Sequence, residues 1–240
     1  MAATRPRPTT PSTRWRRRKE ARPAEILDAA LVCFAERGFA ATRLDDVAKR
    51  AGITKGTLYL YFPNKEELLK AVVRQAIVAN IARGEELVAE SAEAAPVLLE
   101  RIIHHWAELI ATPASAIPKL VIAEAGNFPD IARFYLDEVV NRGRELIRSV
   151  IRKGVARGEF RPVNIESGAY CIFAPMVLAM MWRHSFAPHD CETLDAKALV
   201  DTHLQLLLRG LVGEGRAAPA TAAPDAAGDE PMARRKGASR

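Results

Sequence analysis

Apolar residues recur along this chain at intervals of three and four, and no segment shows convincing strand alternation. Ile26, Leu27, Ala30, Leu31 and Phe34 form the buried stripe of a first helix over about residues 23–37. Pro23 suits its first turn and Gly38 its end. Leu44, Val47, Ala48 and Ala51 fall at i, i+3, i+4 and i+7, the stripe of a short second helix. Thr42, with Asp45 three residues on, reads as its capping box, and Gly52 as its left-handed terminator. Thr54 then stands where its hydroxyl caps a third helix running to about residue 62. Two short helices around a tight Gly-containing turn, over about residues 44–63, make a helix-turn-helix pattern.

The remainder also reads as helix. Asn64 and Glu67 form a second capping box, followed by Leu68, Leu69, Val72, Val73, Ile77 and Ile81 on one stripe. Helices are expected over about 96–111, 117–125 and, after the turn signals of Gly126-Asn127-Phe128-Pro129, over about 129–157. Gly158 ends the last of these. Asn164 or Ser167 starts another, to about residue 184, which is apolar nearly all round from Ala169 to Trp182 and holds Pro175, an expected kink. A final helix spans about 194–211. The predicted fold class is all-α: an N-terminal three-helix helix-turn-helix domain over about 21–81, and a larger C-terminal helical domain over about 84–212. Two apolar terminal helices suit a four-helix bundle between two copies of the chain.

The third helix sorts its side chains unusually for a surface helix. At about 100° per residue, Leu58 and Phe62 share the inward face, while Gly56 and Leu60 point outward between Thr57 and Tyr59. Lys55 and Lys65 bracket it with positive charge. Gly permits close backbone approach, Thr can meet a thymine methyl, and a Tyr hydroxyl can reach phosphate. These are the needs of a helix lying in a DNA major groove.

The run Gly56-Thr57-Leu58-Tyr59, then Tyr61-Phe62 and Pro63-Asn64-Lys65-Glu66-Glu67-Leu68, resembles the TetR family of transcriptional repressors over roughly residues 25–73. Leu60 departs from that pattern, where many members carry a polar or aromatic residue. The resemblance implies a ligand-binding, dimerising C-terminal domain, and the segment 124–161 also looks like one found in that family. On this reading the candidate DNA-binding residues are Thr42, Arg43, Thr54, Lys55, Gly56, Thr57, Tyr59, Leu60, Tyr61 and Lys65. Thr42, Lys55, Tyr59, Tyr61 and Lys65 are expected at phosphates; Arg43, Gly56, Thr57 and Leu60 at base edges. The expected partners are a palindromic double-stranded DNA operator, a small-molecule effector, and a second copy of the chain through the last two helices.

Charge adds one feature. The 240 residues carry a net +6, yet residues 5–22 hold eight basic residues against Glu20, so the rest is near neutral. That segment reads as a disordered basic arm over residues 1–20 able to lie along DNA, and residues 213–240, rich in Ala, Pro and Gly, as a disordered tail. Three cysteines at 33, 171 and 191 lack paired spacing and suit a reducing, cytoplasmic setting. The longest apolar run, 14 residues from Ala169, is too short for a bilayer, so no membrane partner is expected.

Candidate chemistry is otherwise sparse. Trp106, Phe128, Phe134, Tyr135, Met176 and Met180, with Met181 and Trp182, are candidate lining for an effector cavity, since aromatic and Met side chains adapt to bulky apolar ligands. His184, His189, Asp190 and Cys191 share one loop but lack zinc-knuckle spacing, and His104 and His105 point about 100° apart. No phosphate loop, nucleophile elbow or H-E-x-x-H motif is present. Neither a metal, a cofactor nor an enzymatic reaction is expected.

Overall fold

Helix begins further upstream than the apolar stripe requires. The computed structural model describes residues 12–191 and 194–212, with side chains from Arg22 onward, and α1 runs from Ser12 to Ala41. The basic segment, expected to be disordered through residue 20, is therefore helical from Ser12, and Pro23 lies inside α1 rather than in its first turn. Arg, Lys, Glu and Ala are all good helix formers, which explains the extension. Residues 1–11 and the expected tail at 213–240 lie outside the described residues. Gly38 adopts φ 79°, ψ 170°, a conformation that breaks α1 and turns Phe39 into the core.

The chain continues through α2 (Leu44–Arg50), α3 (Lys55–Tyr61) and α4 (Lys65–Val73). A π-helical turn, Arg74–Val78, joins α4 to α5 (Ala79–Glu90), so helix is unbroken over 65–90. Then come α6 (Ala95–Ile110), a 3₁₀ turn (Pro113–Ala116) and α7 (Ile117–Glu124). A second π-helical turn, Leu136–Asn141, joins α8 (Pro129–Tyr135) to α9 (Arg142–Ala156). Last are α10 (Ile165–Ser185) and α11 (Ala196–Val212). Among the described residues there is no strand, and the architecture is all-α.

Two apolar clusters hold the molecule. The first gathers Ile26, Ala30, Phe34, Phe39, Val47, Leu58, Leu68 and Val72 from the N-terminal helices with Ile117, Leu120, Val121 and Ile131 from α7 and α8. The helix-turn-helix thus shares its core with two helices of the C-terminal half. The second cluster packs α5, α6, α9, α10 and α11 through residues such as Leu98, Ile102, Trp106, Ile147, Ile151, Met176 and Leu204. Each such side chain contributes about 1.5–3 kcal/mol relative to exposure.

Helix ends follow local chemistry. Asn64 accepts from Glu67 N at 2.8 Å and Asn164 from Ser167 N at 2.9 Å, which settles Asn164 as the cap of α10. The reciprocal half of the box at Asn64 is given up, because the Glu67 carboxylate pairs with Lys70. The α10 helix runs without interruption through Pro175. Its 21 residues, with a mean hydropathy of 1.4 in the most apolar window, are enough by length and composition alone to cross a bilayer, which the 14-residue run understated. It packs against α6, α7, α9 and α11 instead.

Candidate nucleic-acid interface and effector cavity

The turn between α2 and α3 is built from two local devices. Gly52 takes φ 65°, which only glycine adopts without strain, and ends α2. Thr54 then caps α3: its Oγ1 accepts from Thr57 N at 3.2 Å and shares a hydrogen with Thr57 Oγ1 at 2.9 Å. Leu58 is fully buried in the N-terminal core, with α3 packed on α2, and this fixes the rotation of α3. Outward stand Gly56, Tyr59 (45% exposed) and Leu60 (84% exposed). An apolar side chain that exposed, in the last turn of a helix anchored by Leu58, buries little in the fold.

Cationic groups flank this face. Lys55 pairs with Asp45 at 2.8 Å, both exposed, and the carboxylate hydrogen bond holds the ammonium above its usual range. Arg43 is exposed at the start of α2. Tyr61 is half-buried, its ring 6.5 Å from that of Phe62. Behind the face, Arg50 grips Glu36 with two bonds of 3.0 and 2.7 Å, and Arg37 meets Asp46 at 2.6 Å. Such exposed pairs are individually weak, but together they tie α2 to α1. Sequence spacing did not reveal them, since their partners lie on different helices.

Two expectations need correction. Thr42 does not cap α2; the N-cap is Arg43, without a side-chain bond, and Asp45 and Asp46 favour the helix start through its dipole. Thr42 is 2% exposed, and its Oγ1 donates to Gly38 O at 2.6 Å and Cys33 O at 3.1 Å. Lys65 likewise turns inward: Nζ donates to Phe39 O, Ala40 O and Thr42 O at 2.7, 3.0 and 3.1 Å, and burial lowers its pKa. Both residues close the C-terminal end of α1 where free carbonyls collect. The polar side-chain atoms of both are engaged with backbone carbonyls.

A cavity of about 750 Å³ lies between α5, α6, α7, α9 and α10. Trp106, Tyr135, Met176, Met180 and Met181 line it as expected, with Trp106 stacked on Phe173 at 4.7 Å. Burial pushes the Tyr135 phenol well above its ordinary pKa. Phe128 and Phe134 do not line it. Phe128 sets its ring edge-on against Phe39 at 5.0 Å, and Phe134 lies under the Arg74 guanidinium at 4.7 Å. Trp182 is also elsewhere, donating from Nε1 to Asp190 at 3.2 Å. Sequence reasoning also missed the polar part of the lining, Asn80, Arg144 and Tyr170, along with apolar residues such as Ile77, Leu136 and Phe173. Arg144 lies seven positions before Ile151, within about 20° of the apolar stripe of α9, and that placement was the available signal.

Of the candidate histidines, His184 lies in the last turn of α10 rather than in the loop that follows it. His184 Nε2 shares a hydrogen with Ser115 Oγ at 2.8 Å, and burial lowers its pKa. His104 and His105 face Glu100 and Glu108 at 3.8 and 3.6 Å. Among the described residues no three His, Cys, Asp or Glu side chains gather closely enough to hold a metal.

Comparison with known proteins covers both halves. Residues 26–72 match the family of bacterial regulatory proteins called the tetR family, and residues 98–202 match tetracyclin repressor-like C-terminal domains. The HTH-type transcriptional repressor KstR2 of Rhodococcus jostii is 31% identical over 195 residues, covering 80% of this chain and 92% of that one. The fatty acid metabolism regulator protein of Bacillus subtilis is 27% identical over 196 residues, covering 80% and 98%. Among solved structures, Bacillus subtilis FadR in complex with stearoyl-CoA superposes with a TM-score of 0.65 at 25% identity, covering 78% and 98%. The ketosteroid transcriptional regulator KstR2 of Mycobacterium tuberculosis does so with a TM-score of 0.62 at 28% identity, covering 80% and 96%.

Proposed function

Because this chain belongs to the tetR family of bacterial regulatory proteins, we propose that it binds a palindromic operator as a homodimer and leaves it when an apolar effector fills the cavity. The chain is a ligand-responsive DNA-binding transcriptional repressor, a regulator and not an enzyme. The carrying observation for the DNA contact is the outward face of α3, with Tyr59 and Leu60 exposed on a helix whose Leu58 is fully buried. On this reading Lys55, Tyr59 and Tyr61 hold phosphates, while Arg43, Gly56, Thr57 and Leu60 meet base edges; Thr54 caps and orients the helix. Thr42 and Lys65 build the scaffold behind them.

Support for the dimer comes from the outer sides of α10 and α11. Leu206 and Val212 of α11 are exposed there together with Ala198, and Val177 and Leu178 of α10 are exposed where that helix borders the cavity. A two-fold pairing on these helices places the two α3 helices in successive major grooves about 34–36 Å apart. The cytoplasm, where an operator is accessible, is the compartment that fits.

The effector reading rests on the cavity and its position. Ile77 of the first π-helical turn and Leu136 and Val139 of the second line it, as does Ala132 of α8, while α4 and α8 pack on the helix-turn-helix core. Relatives of known ligand or name, FadR with stearoyl-CoA and the ketosteroid regulator KstR2, support a large effector with an extended apolar body. A ligand that prefers the arrangement unable to span two grooves lowers operator affinity by the ratio of its affinities for the two states. About 2–3 kcal/mol of coupling gives derepression of some tens- to a hundredfold.

Selection of bound sequences from a random duplex pool tests the operator reading. Enriched inverted half-sites one helical turn apart, bound with a steep salt dependence, are expected. Enrichment of nothing, or binding indifferent to salt, would refute it.

A further inference from the structure

The guanidinium of Arg144 differs from every other one on its helix. Arg142 pairs with Glu85 at 2.6 Å and with Glu138; Arg148 with Glu145 and Glu166; Arg152 with Glu145; and Arg157, just past the helix end, with Glu159. Arg144 has no carboxylate partner among the described residues. Its Nη1 donates to Tyr170 Oη and its Nη2 to Asn141 Oδ1 at 2.5 Å, both neutral, and its Nε–H is buried without an acceptor. The charge is therefore uncompensated, and it stands in the wall of the cavity. Leaving a partly desolvated cation unpaired is costly, and a carboxylate answering it forms a strong charge-assisted bond.

Tyr170 completes the arrangement. Its hydroxyl accepts from Arg144, so its own proton remains to be donated, and its ring lies 5.3 Å from the Arg144 guanidinium carbon. Asn80, the amide in the wall, is held by protein groups: Nδ2 donates to Ala76 O, and Oδ1 faces Arg83 and His105. The remaining lining residues are apolar apart from the buried phenol of Tyr135. Arg144 is the sole charged side chain in the lining, which suits one negative charge and leaves a polyanionic head without a second cation inside.

We propose that the cavity takes an amphipathic monoanion, an apolar body ending in one carboxylate, whose head is held by Arg144 and Tyr170. The assignment rests on the reading of this cavity as the effector site and specifies the ligand class it selects. The cavity volume falls in the range of about 300–1,000 Å³ typical of small-molecule sites. A straight acyl chain and a fused-ring acid both satisfy the chemistry, and the test separates them.

Calorimetric titration of the full chain with two matched pairs provides that test: hexadecanoate against hexadecan-1-ol, and cholan-24-oate against its 24-alcohol. At least one carboxylate is expected to bind about tenfold or more tighter than its alcohol, the pair showing the preference identifying the body. Arg144→Gln is expected to bring that ratio to about unity, chiefly by weakening the carboxylate. Arg144→Lys should retain part of the preference, since it keeps the charge and loses the fork. Equal affinities within both pairs, no binding of any of the four, or a preference that survives Arg144→Gln each overturns the assignment. Operator affinity measured alongside keeps the two readings apart. A carboxylate bound through Arg144 that leaves operator affinity unchanged sinks the effector reading alone, whereas operator release by acid and alcohol alike sinks the anion assignment alone.

Discussion

Lys65 Nζ lies 2.7 Å from the carbonyl oxygen of Phe39 and 4.5 Å from the centre of that residue's ring. One side chain at the start of α4 thus ties down the chain where α1 ends, using its charge on the backbone and on the aromatic face together. Lys65→Met is expected to cost about 1–3 kcal/mol of stability, because three carbonyls lose their shared donor. Chemical denaturation measures this, and the base preference of the folded variant should match wild type. A variant of full stability with altered DNA binding would return Lys65 to the interface.

Thr42 performs the companion task from the other side. Thr42→Val keeps its shape but removes the bonds to Gly38 O and Cys33 O, and a loss of about 0.5–1.5 kcal/mol is expected. Thr42→Ser, which retains the hydroxyl, should recover most of it in the same denaturation assay.

Within α3 the substitutions should separate by kind. Lys55→Ala is expected to weaken binding to all sequences alike and to lower the salt slope by about one unit per protomer. Thr57→Ala and Leu60→Ala should instead relax base preference at single positions of each half-site. Selections repeated with each variant decide the matter, and a changed preference in Lys55→Ala would reverse the assignment of contacts.

Gly154 marks a close approach in the second core. A Cβ there would sit 2.2 Å from Cδ2 of Phe160, which is only 2% exposed and folds back over the end of α9. Gly154→Ala gains up to about 1 kcal/mol in helix propensity, yet overpacking of about 1–3 kcal/mol should outweigh it. A lowered Tm is expected, and Gly154→Ala combined with Phe160→Leu should melt higher than Gly154→Ala alone.

Acid should loosen the contact between α10 and the 3₁₀ turn. Burial, with Arg183 and Lys119 beside it, lowers the His184 pKa from its ordinary 6.5. The unfolded chain then takes up the proton first as pH falls, so stability present above about pH 6.5 is lost as pH falls through the folded-state pKa. His184→Gln, which keeps a partner for Ser115, is expected to flatten the dependence of the urea midpoint on pH below 6.5. An unchanged slope would place the titrating group elsewhere.

Sequence alone determined the helices and most of their ends, because those depend on neighbours three or four residues away. Thr54, Asn64 and Asn164 cap where their spacing said they would, and Gly52 and Gly158 carry the positive φ that ends a helix. It also placed Leu58 inward and Leu60 outward, since that division follows from helical periodicity once Leu58 is anchored. Tertiary structure alone decided where long polar and aromatic side chains turn. Lys65 finds its acceptor 26 residues upstream, Phe128 meets Phe39, and Phe134 meets Arg74, none of which helical spacing could show. It likewise placed Arg144 in the cavity wall while the neighbouring arginines found carboxylates. The reason is physical: a capping bond is closed by the local backbone, whereas a flexible cation or a ring settles on whatever the folded chain brings within a few ångströms.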